Sequence, residues 1–248
     1  MILIYGWRWA ERAGVPEVTE SLKSVLDGLG YNHTEWEDEV PFAEMLGDMG
    51  YTREMVSAAE RTADAVSRVV DDKGIKVAVT PFAHIYHVWN RVLPESGVEF
   101  PVPMEHVTTF LRDNLGNAKL QPVRGRYILH DACRLGRIGG LGDAPRDVLA
   151  RIPELEIVEF EHPEMAVRDL KPWDISPCPG GWLSLAISEL MPHVASGVLK
   201  REVLPRGVDG IITTCALSYL AFREGCRAAG ADMDVKFFTD VVAGALGR

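Results

Sequence analysis

Apolar positions along the chain follow two alternating rhythms. Runs at 2–5, 76–80, 127–130, 156–160, 210–214 and 235–238 are nearly uninterrupted, the pattern of strands buried on both faces. Between them the spacing lengthens to a helical period. Val18, Leu22, Val25, Leu26 and Leu29 share one face over 16–29. Met55, Ala58, Ala59, Thr62, Val66, Val69 and Val70 do the same before Asp72-Lys73-Gly74, whose glycine suits a left-handed cap. Helices are also predicted over 84–92, 144–151, 182–199, 217–229 and 239–246, with a weak strand over 32–36. Such alternation implies an α/β fold with mainly parallel sheets, covered on both faces.

From Leu115 to Arg126 the composition shifts to Gly, Asn, Lys, Gln, Pro and Arg, the signature of an inter-domain connection, and the pattern then restarts. Two halves, 1–118 and 119–248, are therefore expected. They can be laid over one another. Residues 79–86 match 212–219, with Thr80, Ala83 and Tyr86 meeting Thr213, Ala216 and Tyr219, and residues 2–7 match 128–133. The economical reading is an internal duplication that produces two tandem Rossmann-like halves. It sets Trp7, Phe82 and Ile85 against Cys133, Cys215 and Ser218, so the first half carries apolar residues where the second carries sulfur or hydroxyl.

Charge and length narrow the classes. A net charge of -10, with no Lys/Arg block, excludes a nucleic-acid footprint. No apolar run approaches the ~20 residues of a membrane span. The opening apolar run is broken by Trp7, Arg8 and Glu11, too early for a signal-peptide core, so a cytoplasmic protein is expected. In that compartment four cysteines read as ligands, reactive thiols or small core side chains rather than a disulfide framework. The acidic run Glu35, Glu37, Asp38 and Glu39 reads as solvated loop. Gly136, Gly139, Gly140 and Gly142 fail the dinucleotide fingerprint and read as a loop ending in an Asp143 helix cap, with Pro145 in the first turn. His84 and His87 read as ordinary helix residues, and Trp7, Trp9, Phe82 and Trp89 as packed core; His106 and Trp182 receive no role.

Three cysteines sit in turns behind strands or beside glycines: Cys133, Cys178 and Cys215. In an α/β half the loops at the carboxyl ends of the strands gather at one edge, which predicts that the three converge. Thiolates are natural ligands for iron–sulfur clusters and for zinc. Gly136, Gly180 and Gly181 would let backbone approach closely. A four-iron cluster on three thiolates keeps one iron open or takes a fourth ligand, for which Ser218, His130 and Asp131 are nearest in sequence. Zinc on three Cys plus His or water is the alternative. A metal-free thiol site, with a helix amino terminus behind Cys215 favouring thiolate, is a third. Cys226, in a helix beside Arg227, reads as a core side chain.

The stretches 130–137 (His-Asp-Ala-Cys-Arg-Leu-Gly-Arg), 143–146 (Asp-Ala-Pro-Arg) and 151–156, with Val79-Thr80, Tyr86-His87 and Pro94-Glu95, resemble the cysteine-rich CCG-domain family. That family includes the heterodisulfide reductase B subunit, lactate utilisation protein A and the anaerobic glycerol-3-phosphate dehydrogenase C subunit. Each half of a member typically carries a Cys near the first strand, a Cys-Cys-Gly in mid-half and a later Cys-x-x-Cys. Here Trp7, Pro41-Phe42, Phe82 and Ile85 stand in the first half's ligand positions, while the second half keeps Cys133, Cys178-Pro179-Gly180 and Cys215, with Ser218 in the last place. The resemblance implies an oxidoreductase subunit, for electron transfer or small-disulfide reduction. It implies one cluster, 4Fe–4S, on Cys133, Cys178 and Cys215, a scaffolding first half, and flavoprotein or iron–sulfur partner subunits or self-association. The rival from another class is a cluster-free or zinc-bound scaffold or assembly protein on the same fold.

Overall fold

In the computed structural model, which describes residues 1–36, 43–162, 165, 169–183 and 187–248, the apolar runs become strands of two separate sheets. The chain divides into two units, Met1–Asn114 and Leu115–Arg248. In the first, β1 (Ile2–Ile4) is followed by α1 (Trp7–Ala13), α2 (Glu17–Gly28), β2 (His33–Glu35), α3 (Thr52–Lys73), β3 (Val77–Thr80), α4 (Ala83–His87), β4 (Met104–His106) and α5 (Val107–Asn114). In the second, β5 (Gly125–His130) leads to α6 (Asp143–Leu149), β6 (Leu155–Val158), α7 (Pro172–Ile175), α8 (Met191–Val198), β7 (Gly210–Thr213), α9 (Ala216–Ala229), β8 (Asp234–Phe237) and α10 (Phe238–Ala245).

Strand order corrects the expectation of Rossmann-like halves. The sheets run β2-β1-β3-β4 and β6-β5-β7-β8. A Rossmann sheet runs 3-2-1-4-5-6; both sheets here follow the 2-1-3-4 start of the flavodoxin-like order. They are also wholly rather than mainly parallel, in registers such as Ile2↔Val77 in the first unit and Ile128↔Ile211 in the second. The central strands β1 and β7 are buried along their whole length, which is why their sequences are apolar without alternation.

Several element ends differ from the sequence expectation for identifiable reasons. Gly74 does cap α3 in the left-handed region (φ 63°), its N–H reaching the Val70 carbonyl. By contrast, α6 starts at Asp143 itself, with Gly142 as its cap and no side-chain cap bond. Of the helix predicted over 182–199, residues 184–186 fall outside the described residues, and a helix runs over Met191–Val198, where Pro192 occupies the first turn, a position that needs no N–H. Helix α8 then widens into a π-helical turn, Leu199–Val203, before Pro205, as α4 does over Val88–Val92 before Pro94. Each proline lacks the N–H that the preceding turn would have received, and the winding changes there. The elements α1, β4, α5 and α7 are not among the predicted ones. Of the acidic run expected as solvated loop, Glu35 instead ends β2 and pairs with Lys23 (2.6 Å), while Glu37, Asp38, Glu39 and the Pro41-Phe42 position fall outside the described residues. Cys226 is part of the second unit's core, with Ile128, Phe160, Val198, Leu199, Val203, Ile211 and Phe222. Among the described residues no helix is long and apolar enough to cross a membrane.

Candidate functional site

In a sheet of order 2-1-3-4 the chain leaves the two central strands in opposite directions, and a crevice opens outside their carboxyl ends. In the second unit those strands are β5 and β7. Cys133 follows β5, and Cys215 is the N-cap residue of α9, directly behind β7. Cys178 comes from the connection between β6 and β7. Its segment is fastened on both sides: the Asp131 N–H donates to Ser176 Oγ (3.3 Å), and Gly181 lies against the backbone of Leu217 in the first turn of α9. A Cβ at Gly181 would come within 2.7 Å of the Leu217 carbonyl, and Gly180 (φ +81°) turns the chain into that approach. Gly181→Ala is therefore expected to cost about 1–3 kcal/mol by overpacking, read from the urea midpoint.

The Cys215 thiol is perturbed by its surroundings. Burial pushes the Cys215 thiol up to about 11; the Ser218 hydroxyl and backbone N–H donate to its sulfur and oppose this, while charge on Cys133 or Cys178 pushes it further up. Cys133 and Cys178 are exposed and Cys215 is partly buried. Among the described residues, no group of three or more His, Cys, Asp or Glu side chains is drawn tightly enough together to hold a metal ion. The donor chemistry nonetheless suits a soft metal centre: three thiols on three separate loops, with Ser218 directed at the sulfur of Cys215.

His130 and Asp131, the other fourth-ligand candidates, are engaged elsewhere. His130 Nε2 lies 3.1 Å from the Pro177 carbonyl, which can only accept, so this nitrogen carries the proton. Nδ1 then accepts from Thr213 Oγ1 (3.0 Å), and that oxygen accepts from the Cys215 N–H (3.1 Å). The chain of bonds joins the residue before Cys178 to the backbone of Cys215. Burial lowers His130 to about 4, which keeps the ring neutral. Asp131, 3% exposed, is paired in bidentate fashion with Arg146 (2.9 Å for each oxygen). The same guanidinium grips Glu159 (2.7 and 2.6 Å), donates to the Gly142 carbonyl and lies 4.9 Å above the Trp173 ring.

The matching crevice of the first unit is filled. Gly6 (φ +107°) faces Phe82, whose ring a Cβ would meet at 2.7 Å. Trp9 and Phe82 pack with ring centroids 4.5 Å apart, and Ile85 is fully buried. Trp7 is partly exposed, with Nε1 donating to the Trp36 carbonyl (2.8 Å). His84 lies on Glu44 O (3.3 Å) and Asp48 (3.7 Å). Sequence reasoning missed Glu44, since nothing in its neighbourhood marks a buried acid. Its Oε1 accepts from Tyr5 OH (2.9 Å) and Trp89 Nε1 (3.1 Å), Oε2 has no partner among the described residues, and burial raises its pKa. A neutral amide keeps both bonds without the desolvation cost, so Glu44→Gln is expected to stabilise the protein at pH 8 by about 1 kcal/mol in urea unfolding.

No family model matches the chain. It is 30% identical over 162 residues to the D subunit of dihydromethanophenazine:CoB–CoM heterodisulfide reductase from Methanosarcina mazei, covering 64% of this chain and 37% of that one. It is 32% identical over 159 residues to the B subunit of fumarate reductase (CoM/CoB) from Methanothermobacter marburgensis, covering 64% and 30%. It is 34% identical over 90 residues to the probable iron-sulfur-binding oxidoreductase FadF of Bacillus subtilis, covering 35% and 12%. The chain thus spans between 12% and 37% of the length of these curated relatives. Those relatives are reductase subunits and an oxidoreductase, in keeping with the cysteine-rich type that the motifs resemble. Solved structures with detectable likeness include glutamate racemases from Bacillus anthracis (11% identity, TM-score 0.38, 99% of this chain and 79% of that) and Aquifex pyrophilus (12%, 0.36, 99% and 81%). At those scores the likeness is too loose to argue from.

Proposed function

We propose that the protein is an iron–sulfur redox subunit whose second unit holds one cluster through Cys133, Cys178 and Cys215. What supports this reading is that Cys133 follows β5 and Cys215 follows β7, the two central strands of a parallel sheet, and that charge on Cys133 and Cys178 acts on the Cys215 thiol. The names of the relatives support the class. A four-iron cluster on three thiolates supplies one-electron chemistry and one iron position not taken by cysteine. The protein's own contribution is to hold the thiols, to donate from Ser218 to one of them and to present Cys133 and Cys178 at the surface. A small disulfide is the substrate class that suits such a site, and a flavoprotein or second iron–sulfur chain is the partner that would deliver electrons. The first unit, its crevice filled by Trp9, Phe82 and Ile85, serves as scaffold.

The test is iron, zinc and acid-labile sulfide content of anaerobically purified protein, with its visible spectrum and the electron paramagnetic resonance of the reduced form. Iron and sulfide in near-equal amounts with a broad visible band are expected. Zinc alone would replace the redox reading with a structural or hydrolytic one, and no metal after reconstitution would remove the cluster.

A further inference from the structure

We propose that Arg146 is the positioning residue that holds the Cys133 loop against the segment carrying Cys178 before any metal is bound. Four attachments converge on this one side chain, and each belongs to a different part of the site. Asp131 is two residues before Cys133; Gly142 closes the loop that begins at Cys133; Trp173 lies five residues before Cys178; Glu159 follows the end of β6. The loop from Cys133 to Gly142 is thus held at both ends by one guanidinium.

The middle of that loop is tied as well. Arg137 donates from Nε to the Asp174 carbonyl (2.8 Å) and from Nη2 to the Ser176 carbonyl (3.1 Å). Gly136 and Gly142 both press on Trp173, where a Cβ would come within 2.8 and 2.2 Å of its side chain. The Cys133 loop and the segment that carries Cys178 are therefore joined across a small interface of which Arg146 and Trp173 form the centre. The planar fork matters here more than the charge. An Arg meets two carboxylates in bidentate fashion and stacks on a ring at the same time, whereas a Lys ammonium is a point charge that can do neither. The Asp131 side chain is 3% and the Arg146 side chain 18% exposed, so water cannot replace the lost bonds cheaply. The structural part of this inference stands without the proposed cluster; only its consequence for metal loading rests on that reading.

The experiment uses reduced, metal-free full-length protein and dibromobimane, which becomes fluorescent only when both of its arms capture thiols, with the joined cysteines identified by peptide mapping. Wild type is expected to join Cys133 to Cys178, the thiols of the two segments that Arg146 ties together. Arg146→Met and Arg146→Lys are both expected to lose that product by about tenfold at unchanged far-ultraviolet circular dichroism, and to load iron about 10- to 100-fold less tightly, as is usual when a supporting shell is cut. Should Arg146→Met fail to fold, Glu159→Gln, which leaves the Asp131 pair in place, is expected to give an intermediate loss. Wild-type cross-linking in Arg146→Lys and in either Arg146→Met or Glu159→Gln would overturn the proposal, as would absence of the product from wild type. Product lost in the variants of a protein that never takes up iron would leave the clamp standing and remove the cluster. Iron bound by variants that cross-link normally would do the reverse.

Discussion

Serine at position 133, 178 or 215 is expected to strip the protein of bound iron and labile sulfide, each substitution alone lowering both to below about a tenth of wild type. Three thiolates are the least that hold a four-iron cluster with one iron open, so no cysteine is spare. The hydroxyl that replaces a thiol is a harder, far less acidic ligand of shorter reach. Cys215→Ser should be the most severe of the three, because Cys215 is the N-cap residue of α9 and receives both the Ser218 hydroxyl and its backbone N–H. Cys226→Ser is the internal control: its side chain sits in the core with Phe222 and Val198, so it should retain iron and lose about 1 kcal/mol of stability. Iron and sulfide analysis alongside urea unfolding reads both effects. Undiminished iron in any of the three site variants would remove that cysteine from the ligand set, and loss of iron in Cys226→Ser at intact stability would redraw the site.

A second large effect is expected from His106 as pH falls. This ring is fully buried; the Thr108 hydroxyl donates to its Nδ1 at 2.8 Å and the Thr108 N–H at 3.3 Å, so the lone pair that a proton would need is already in use. Burial pushes its pKa down to about 3, against a smaller opposing pull from the Pro81 carbonyl. In the unfolded chain the ring titrates near 6.5. Between those values the unfolded state holds a proton that the folded state refuses, so His106 makes the fold less stable as pH drops, by about 1.4 kcal/mol per unit. Glu44 and Asp131, whose pKa values burial raises, act in the opposite direction, and a bare acid titration would mix these terms. Comparison with His106→Gln removes them. From pH 6 to pH 4 the stability difference between the two proteins should move about 3 kcal/mol in favour of the variant, although the variant starts lower at pH 7 by roughly 1–3 kcal/mol for its lost bonds. Parallel stability curves over that range would show that the folded protein takes up a proton at His106 as readily as the unfolded chain.

What the sequence made legible depended on the strength of the local pattern. The buried strands β1, β5 and β7 announce themselves because a strand covered on both faces has no polar alternation. The short strand β4 does not, since Met104-Glu105-His106 is too brief to carry any period. Strand order was out of reach because periodicity specifies faces and says nothing of neighbours. At the site, glycines and turns marked where Cys133, Cys178 and Cys215 lie. The engagement of His130 and Asp131 was hidden, as their partners Thr213, Pro177 and Arg146 are 83, 47 and 15 residues away. Glu44 was hidden for the same reason: its bonds to Tyr5 and Trp89 span 39 and 45 residues.

The aromatic filling of the first unit also equips the molecule with its own optical probes. Trp7, Trp9, Trp36 and Trp89 all belong to Met1–Asn114, while Trp173 and Trp182 belong to Leu115–Arg248, with Trp173 directly beneath Arg146. Emission from the first set reports the integrity of the scaffold, and emission from Trp173 reports the cysteine loops. In a titration with iron and sulfide, a change is expected in the emission from Trp173, with the tryptophans of Met1–Asn114 as the comparison within the same chain.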